Sequence, residues 1–243
     1  MREDQDLNKQ LKAMHVFIAN KGLDLYGGQW SRVDDDDHLG NYYLKHLPYH
    51  LNEADIPGTE ISSDPGYGIA CYKAALNQIQ THNYQSALLL LDNSIGVLKC
   101  LDTAYYLESL SAKAKLLKQI GSYQEAIICF TDLEKEASRL NTKKYRIQAL
   151  YERQWIYDIL GNRKDAFADL ITLKDLLSED ESELLAEVYL SLAWQYHFTN
   201  VNHAITLVED AFKIPVKANK EIFDLKAHLG SPFRLFSCPE NCK

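Results

Sequence analysis

Glycine and proline are scarce in this chain, at 11 and 6 of 243 residues. Sheets need a turn every few residues, and dinucleotide sites need glycine-rich loops, so both lack the residues they depend on. Most of the glycines and prolines lie in the first 68 residues or beyond residue 214, which leaves the middle for long helices with polar caps. Basic charge is also short: 26 Lys and Arg stand against 34 Asp and Glu, a net charge of −8 without a basic stripe. Nucleic-acid binding needs clustered cations and is not expected. No run approaches the ~18–20 apolar residues of a membrane span. The leading residues MREDQDLNKQL contain no apolar h-region of an export signal. The five cysteines, Cys71, Cys100, Cys129, Cys238 and Cys242, form an odd set. Reduced thiols in a cytoplasmic protein are the expectation.

What is present is ordered and periodic. The chain is 46% hydrophobic and 25% charged, the balance of a folded domain rather than a disordered one. Four short segments repeat: His82–Leu88, Gly121–Ile127, Gly161–Phe167 and Thr199–Ile205. Each runs from a turn-forming pair through polar residues to an alanine and an apolar residue. The alanines, Ala87, Ala126, Ala166 and Ala204, are separated by 39, 40 and 38 residues. Amphipathic stretches flank each turn, such as Leu107, Leu110, Ala114 and Leu117 before Gly121, and Ala126, Phe130, Leu133 and Ala137 after it. A small residue early in the second helix lets two helix backbones approach closely. The unit is a helix–turn–helix, repeated.

These residues resemble the tetratricopeptide repeat (TPR) family, whose turn reads roughly Gly-Asp-Tyr-x-x-Ala-Leu; Gly121–Ile127 is the nearest copy. The resemblance covers about residues 66–216 and departs from the family period of ~34 residues. It also departs at the small first-helix residue, which is Ala75, Ala114, Gln154 and Leu192 in turn. It implies an all-α fold, a right-handed α-solenoid with an N-terminal helical domain. The expected domains are a helical segment at 1–56, a linker at 57–66, the repeat array at 67–227 and a tail at 228–243. The first helices of such repeats line a concave face, which implies a protein or peptide ligand held by Tyr72, Tyr151, Trp155, Tyr189, Tyr196 and His197. Aromatic side chains are favoured at binding hot spots, although packing between helices is the alternative for Trp155 and Tyr189. The Lys/Arg and Asn clamp that some family members use for acidic tails is not expected, because Tyr72, Ser111 and Tyr151 occupy those positions.

The first sixty residues follow another pattern. A helix from Leu7 carries Leu11, Met14 and Ile18 and is expected to end at Gly22. Trp30 and the acidic run Asp34–Asp37 come next, then a helix through Leu39–Ala54 that Pro48 should kink or tighten. Trp30, Asp36, Asp37, His46, Leu47, Tyr49, His50, Leu51 and Ala54 resemble, in order, the region after the winged helix of NB-ARC/STAND ATPases. That resemblance implies a non-catalytic C-terminal sensor portion of a larger regulator, with an ATPase module of the same polypeptide as a partner. A free-standing TPR adaptor is the alternative. The chain contains no G-x-x-x-x-G-K-[ST] phosphate loop and no G-x-S-x-G elbow, so no enzyme and no cofactor is expected.

Other constellations have plainer readings. Asp34–Asp37 lacks the glycine and distal glutamate of a calcium loop and suits helix capping. His46 and His50 have zinc-ligand spacing, but no Glu follows His46 and Pro48 lies between them, so packing or hydrogen bonding is expected and no metal. Cys238 and Cys242 lack a second ligand pair and read as part of a tail.

Overall fold

The computed structural model describes residues 2–33, 36–56, 63–178, 181–197 and 199–214, with only the backbone of residues 2–6. Asp34, Asp35, most of the expected linker, Pro215 and the tail with Cys238 and Cys242 lie outside the described residues. Ten α-helices and no strand occur among the described residues. They are α1 (Arg2–Tyr26), α2 (His38–Glu53), α3 (Pro65–Gln80), α4 (Tyr84–Leu98), α5 (Thr103–Gln119), α6 (Tyr123–Arg139), α7 (Lys143–Ile159), α8 (Arg163–Leu176), α9 (Ser182–His197) and α10 (Val201–Lys213). A single 3-10 turn, Trp30–Arg32, separates α1 from α2.

The turns explain the repeat. His82, Gly121, Asn141 and Gly161 have left-handed backbones, with φ of 60°, 82°, 53° and 73°. Each is followed by an amide that reaches back five residues: Asn83 N to Gln78 O, Ser122 N to Leu117 O, Thr142 N to Ala137 O and Asn162 N to Tyr157 O, all at 2.8–2.9 Å. This is the Schellman ending, which satisfies carbonyls that a helix terminus orphans. The four periodic alanines are all buried, with at most 2% exposed, where a larger side chain would separate the helices. Residues added to the usual period extend the helices, as α6 runs to Arg139 and α7 starts at Lys143.

The chain divides into two compact units, Met1–Glu136 and Ala137–Lys243. In the first, α1 pairs with α2, α3 with α4, and α2 packs on both α3 and α4. Trp30, Tyr43, Leu44, Leu47 and Leu51 share one core with Tyr67, Cys71, Ala75, Leu90 and Leu91, so the N-terminal helices and the first repeat bury a common surface. In the second unit, α7 pairs with α8, α9 with α10, and α8 packs on α9 around Leu150, Leu170, Leu173, Val188 and Leu192.

The expected end of α1 at Gly22 is corrected. The helix continues to Tyr26, and Gly28, with φ of 71°, follows it. A Cβ on Gly22 would lie 2.5 Å from Tyr43 Cδ1, so this glycine provides close approach to α2 rather than a stop.

Pro48 lies inside α2, which continues to Glu53. Proline has no N–H for the carbonyl four residues back, here that of Leu44. Three side chains from the first repeat serve that carbonyl instead. Tyr67 OH donates at 2.8 Å, Asn93 Nδ2 at 2.9 Å and Cys71 Sγ at 3.6 Å; Asn93 Nδ2 also reaches Lys45 O at 3.3 Å. Burial pushes the Tyr67 phenol and the Cys71 thiol upward, which keeps both protonated as donors.

Candidate functional site

Residues Tyr151, Trp155 and Asp158 of α7 follow at spacings of four and three, which puts them on one face of that helix. Trp155 is 42% exposed. Residues of α9 fix its neighbours: Tyr151 OH donates to Glu187 Oε2 at 2.9 Å, and Gln195 Nε2 donates to Asp158 Oδ1 at 2.7 Å. Burial, then the charge and hydrogen bond of Glu187, raise the Tyr151 phenol above its ordinary range. Burial also raises the Asp158 carboxyl, against the lowering effect of the Gln195 hydrogen bond and the Arg163 charge. Trp155 thus shares a helix face with two hydrogen bonds that each involve an acid.

The other sequence-derived site residues have different surroundings. Tyr189 and Tyr196 are half-buried and pack against the second unit's core. Lys174 Nζ lies 5.7 Å from the Tyr189 ring centre. Tyr196 meets Phe167 edge-on at 5.2 Å and His203 edge-on at 4.5 Å, between α8 and α10. His197 packs edge-on to Trp194 at 5.8 Å. In the first unit, half-buried Tyr72 meets Tyr105 edge-on at 5.7 Å, and its neighbour Lys73 lines a cleft of about 310 Å³ with Trp30, Asn41 and Asn77.

Two features lie outside the sequence expectation. Glu187 and Gln195 are eight residues apart on α9, and only the register of α9 against α7 shows that they meet Tyr151 and Asp158. Beneath this face, Arg153 and Asp169 form a buried bidentate pair, with Nε donating to Oδ2 at 2.8 Å and Nη2 to Oδ1 at 2.7 Å. The pair fixes α7 against α8 by two parallel charge-assisted bonds. Arg153 lies among polar residues in sequence, and nothing in the local pattern marks it as buried.

The expected capping role of the acidic run falls on Asp37, whose Oδ1 accepts from Gly40 N at 2.7 Å and from Tyr26 OH at 3.0 Å. His50 is buried in the α1–α2 seam, where its Nδ1 shares a hydrogen bond with His15 Nδ1 at 2.8 Å and its Nε2 meets Tyr42 OH at 2.6 Å. His46 contacts the Tyr42 ring at 4.9 Å. Among the described residues, no group of three or more His, Cys, Asp or Glu is placed to hold a metal ion.

Comparison with known proteins bears on the fold. No protein-family model and no curated protein matches the chain. A solved structure does: a chain from Podosopora anserina assigned as a kinesin light chain with nearly identical TPR-like repeats. The likeness has a TM-score of 0.51 at 17% identity, over 85% of this chain and 95% of that one. The fold is therefore that of TPR-like helical repeats, as the resemblance of the turn segments implies. Among the described residues, no helix is long and apolar enough to cross a membrane.

Proposed function

We propose that this chain is a non-catalytic protein-interaction module whose second unit binds a basic, apolar segment of a partner protein. The observation that carries the reading is the exposed Trp155 between the Tyr151–Glu187 and Asp158–Gln195 pairs. An indole face attracts guanidinium and ammonium groups, and adjacent carboxylates add to that attraction. Exposed tryptophan is also a frequent anchor of binding energy. Tyr189 and Tyr196 pack among α8, α9 and α10, and Tyr72 packs against Tyr105 of α5.

Fluorescence anisotropy with a labelled peptide of alternating arginine and leucine tests the reading, with a glutamate–leucine peptide as control. The arginine peptide binds and the glutamate peptide does not. Trp155→Ala weakens binding about tenfold, the effect of losing ~1.4 kcal/mol, while the helical circular dichroism stays unchanged. Equal binding of both peptides, or undiminished binding by the variant, overturns the reading.

The finer reading, a sensor portion of a STAND-type signalling ATPase, rests on the resemblance of the Trp30–Ala54 region. The basic segment would then belong to the ATPase module of the same polypeptide, and ligand binding would shift a population between restrained and released states. A free-standing adaptor uses the same face for a separate partner. A phosphate loop encoded upstream in the same reading frame distinguishes the first from the second.

A further inference from the structure

Helix α1 packs on α2 through a mixed face, with Ala19 in the core, and carries a separate apolar row beside it. Toward α2 point Lys12, which pairs with Asp55, His15, which bonds His50, Gly22, which meets Tyr43, and Tyr26, which bonds Asp37. With 100° of rotation per residue, a second row lies about a quarter-turn away: Leu7, Leu11, Met14, Ile18 and Leu25. Ile18 sits at the join of the faces and touches the core. Leu7, Leu11, Met14 and Leu25 remain 56%, 43%, 53% and 43% exposed, and Phe17 beside them is 69% exposed. Apolar residues in such a contiguous row are unusual on a free surface.

The spacing of this row, 4, 3, 4 and then 7 residues, is that of a coiled-coil seam, with Lys21 at the one polar position between Ile18 and Leu25. We propose that the occupant is α1 of a second copy, packed antiparallel about a two-fold axis. In that register Leu7 faces Leu25 of the second copy, Met14 faces its Ile18, and Leu11 faces its Lys21. The lysine stem then covers leucine while its ammonium reaches water. A parallel pair would instead stack Lys21 on Lys21 inside the seam. Of the flanking positions Asn8, Gln10, His15, Phe17, Gly22 and Asp24, only Asp24 is an acid, so no rows of like charge oppose the pairing. A two-fold interface needs a self-complementary patch, and this seam supplies one.

Sedimentation equilibrium of the full chain, from micromolar to submillimolar concentration, tests the dimer. The expected mass rises to twice 27.8 kDa. Leu11→Glu with Met14→Glu gives a monomer with unchanged circular dichroism, and Lys21→Leu tightens the dimer about tenfold. Ile205→Lys, on α10 where Val201, Ile205 and Phe212 are exposed, leaves the mass unchanged. A monomer at every concentration overturns the proposal, as does a folded Leu11/Met14 variant that still dimerises. Loss of association in Ile205→Lys also overturns it, since copies would then be joined through α10. Should the double variant unfold, Lys21→Leu decides: an unchanged dissociation constant overturns the proposal.

Discussion

At the scale of single residues, polar groups buried among helices carry consequences that their neighbours in sequence do not announce. His50 is the clearest. Burial, with the nearby His15 and His46, lowers its pKa below the ordinary histidine value. Its Nδ1 and that of His15 are 2.8 Å apart and can share one proton but not hold two. The unfolded chain therefore binds a proton at higher pH than the native state does. Stability is full above the ordinary histidine pKa and falls as pH drops below it toward the lowered native value. Urea unfolding at pH 7.5 and pH 5 is expected to show this loss, and His50→Gln to reduce the difference between the two. An equal slope in the variant would assign the loss to other groups. Pro48 poses a second test. If its missing amide is why Tyr67 OH donates to Leu44 O, Tyr67→Phe should cost about 1 kcal/mol in the native sequence. The cost should shrink in the presence of Pro48→Ala, where the new amide at position 48 can serve the same carbonyl. A double-mutant cycle from denaturant midpoints measures the coupling, and strict additivity would refute the link.

At the scale of elements, helix pairing was legible in sequence wherever it depends on local chemistry. The alanine spacing marks the close-approach positions, and the turn residues mark the helix ends, because both are dictated within a few residues of themselves. The left-handed ending makes a distinction that can be measured. Gly121, with φ of 82°, takes this conformation without strain, whereas His82, with φ of 60°, bears a Cβ there. Gly121→Ala is expected to destabilise the fold by about 1 kcal/mol. His82→Gly should gain several tenths of a kcal/mol, less the contact of its ring with Tyr84. Thermal denaturation of the two variants checks the opposite signs. Gly22 shows where local reading fails. Its sequence context is that of a helix stop, but Tyr43 of α2 occupies the space that any side chain would need, and only the packed pair reveals that. Glu187 and Gln195 were hidden for the same reason: their partners on α7 are 36 and 37 residues away in sequence.

At the scale of the whole molecule, a repeat array gains stability from each unit and its nearest neighbours rather than from a single central core. Each of the two compact units has its own apolar cluster, so a defect inside one should remain largely there. The Arg153–Asp169 pair offers a sharp defect, since both side chains are buried and the pair is bidentate. Asp169→Asn leaves the guanidinium in place but removes its counter-charge, which is expected to cost about 3 kcal/mol. Arg153→Met combined with Asp169→Leu removes both charges and should recover most of that loss, because an apolar pair of similar volume avoids the desolvation penalty. Hydrogen exchange read by mass spectrometry locates the effect. In Asp169→Asn, amides of α7 to α10 should exchange faster, while those of α2 to α4 around Tyr67, Leu90 and Leu91 keep their protection. Equal acceleration in both units would show that the molecule unfolds as one cooperative body, and the nearest-neighbour description of its stability would then fail.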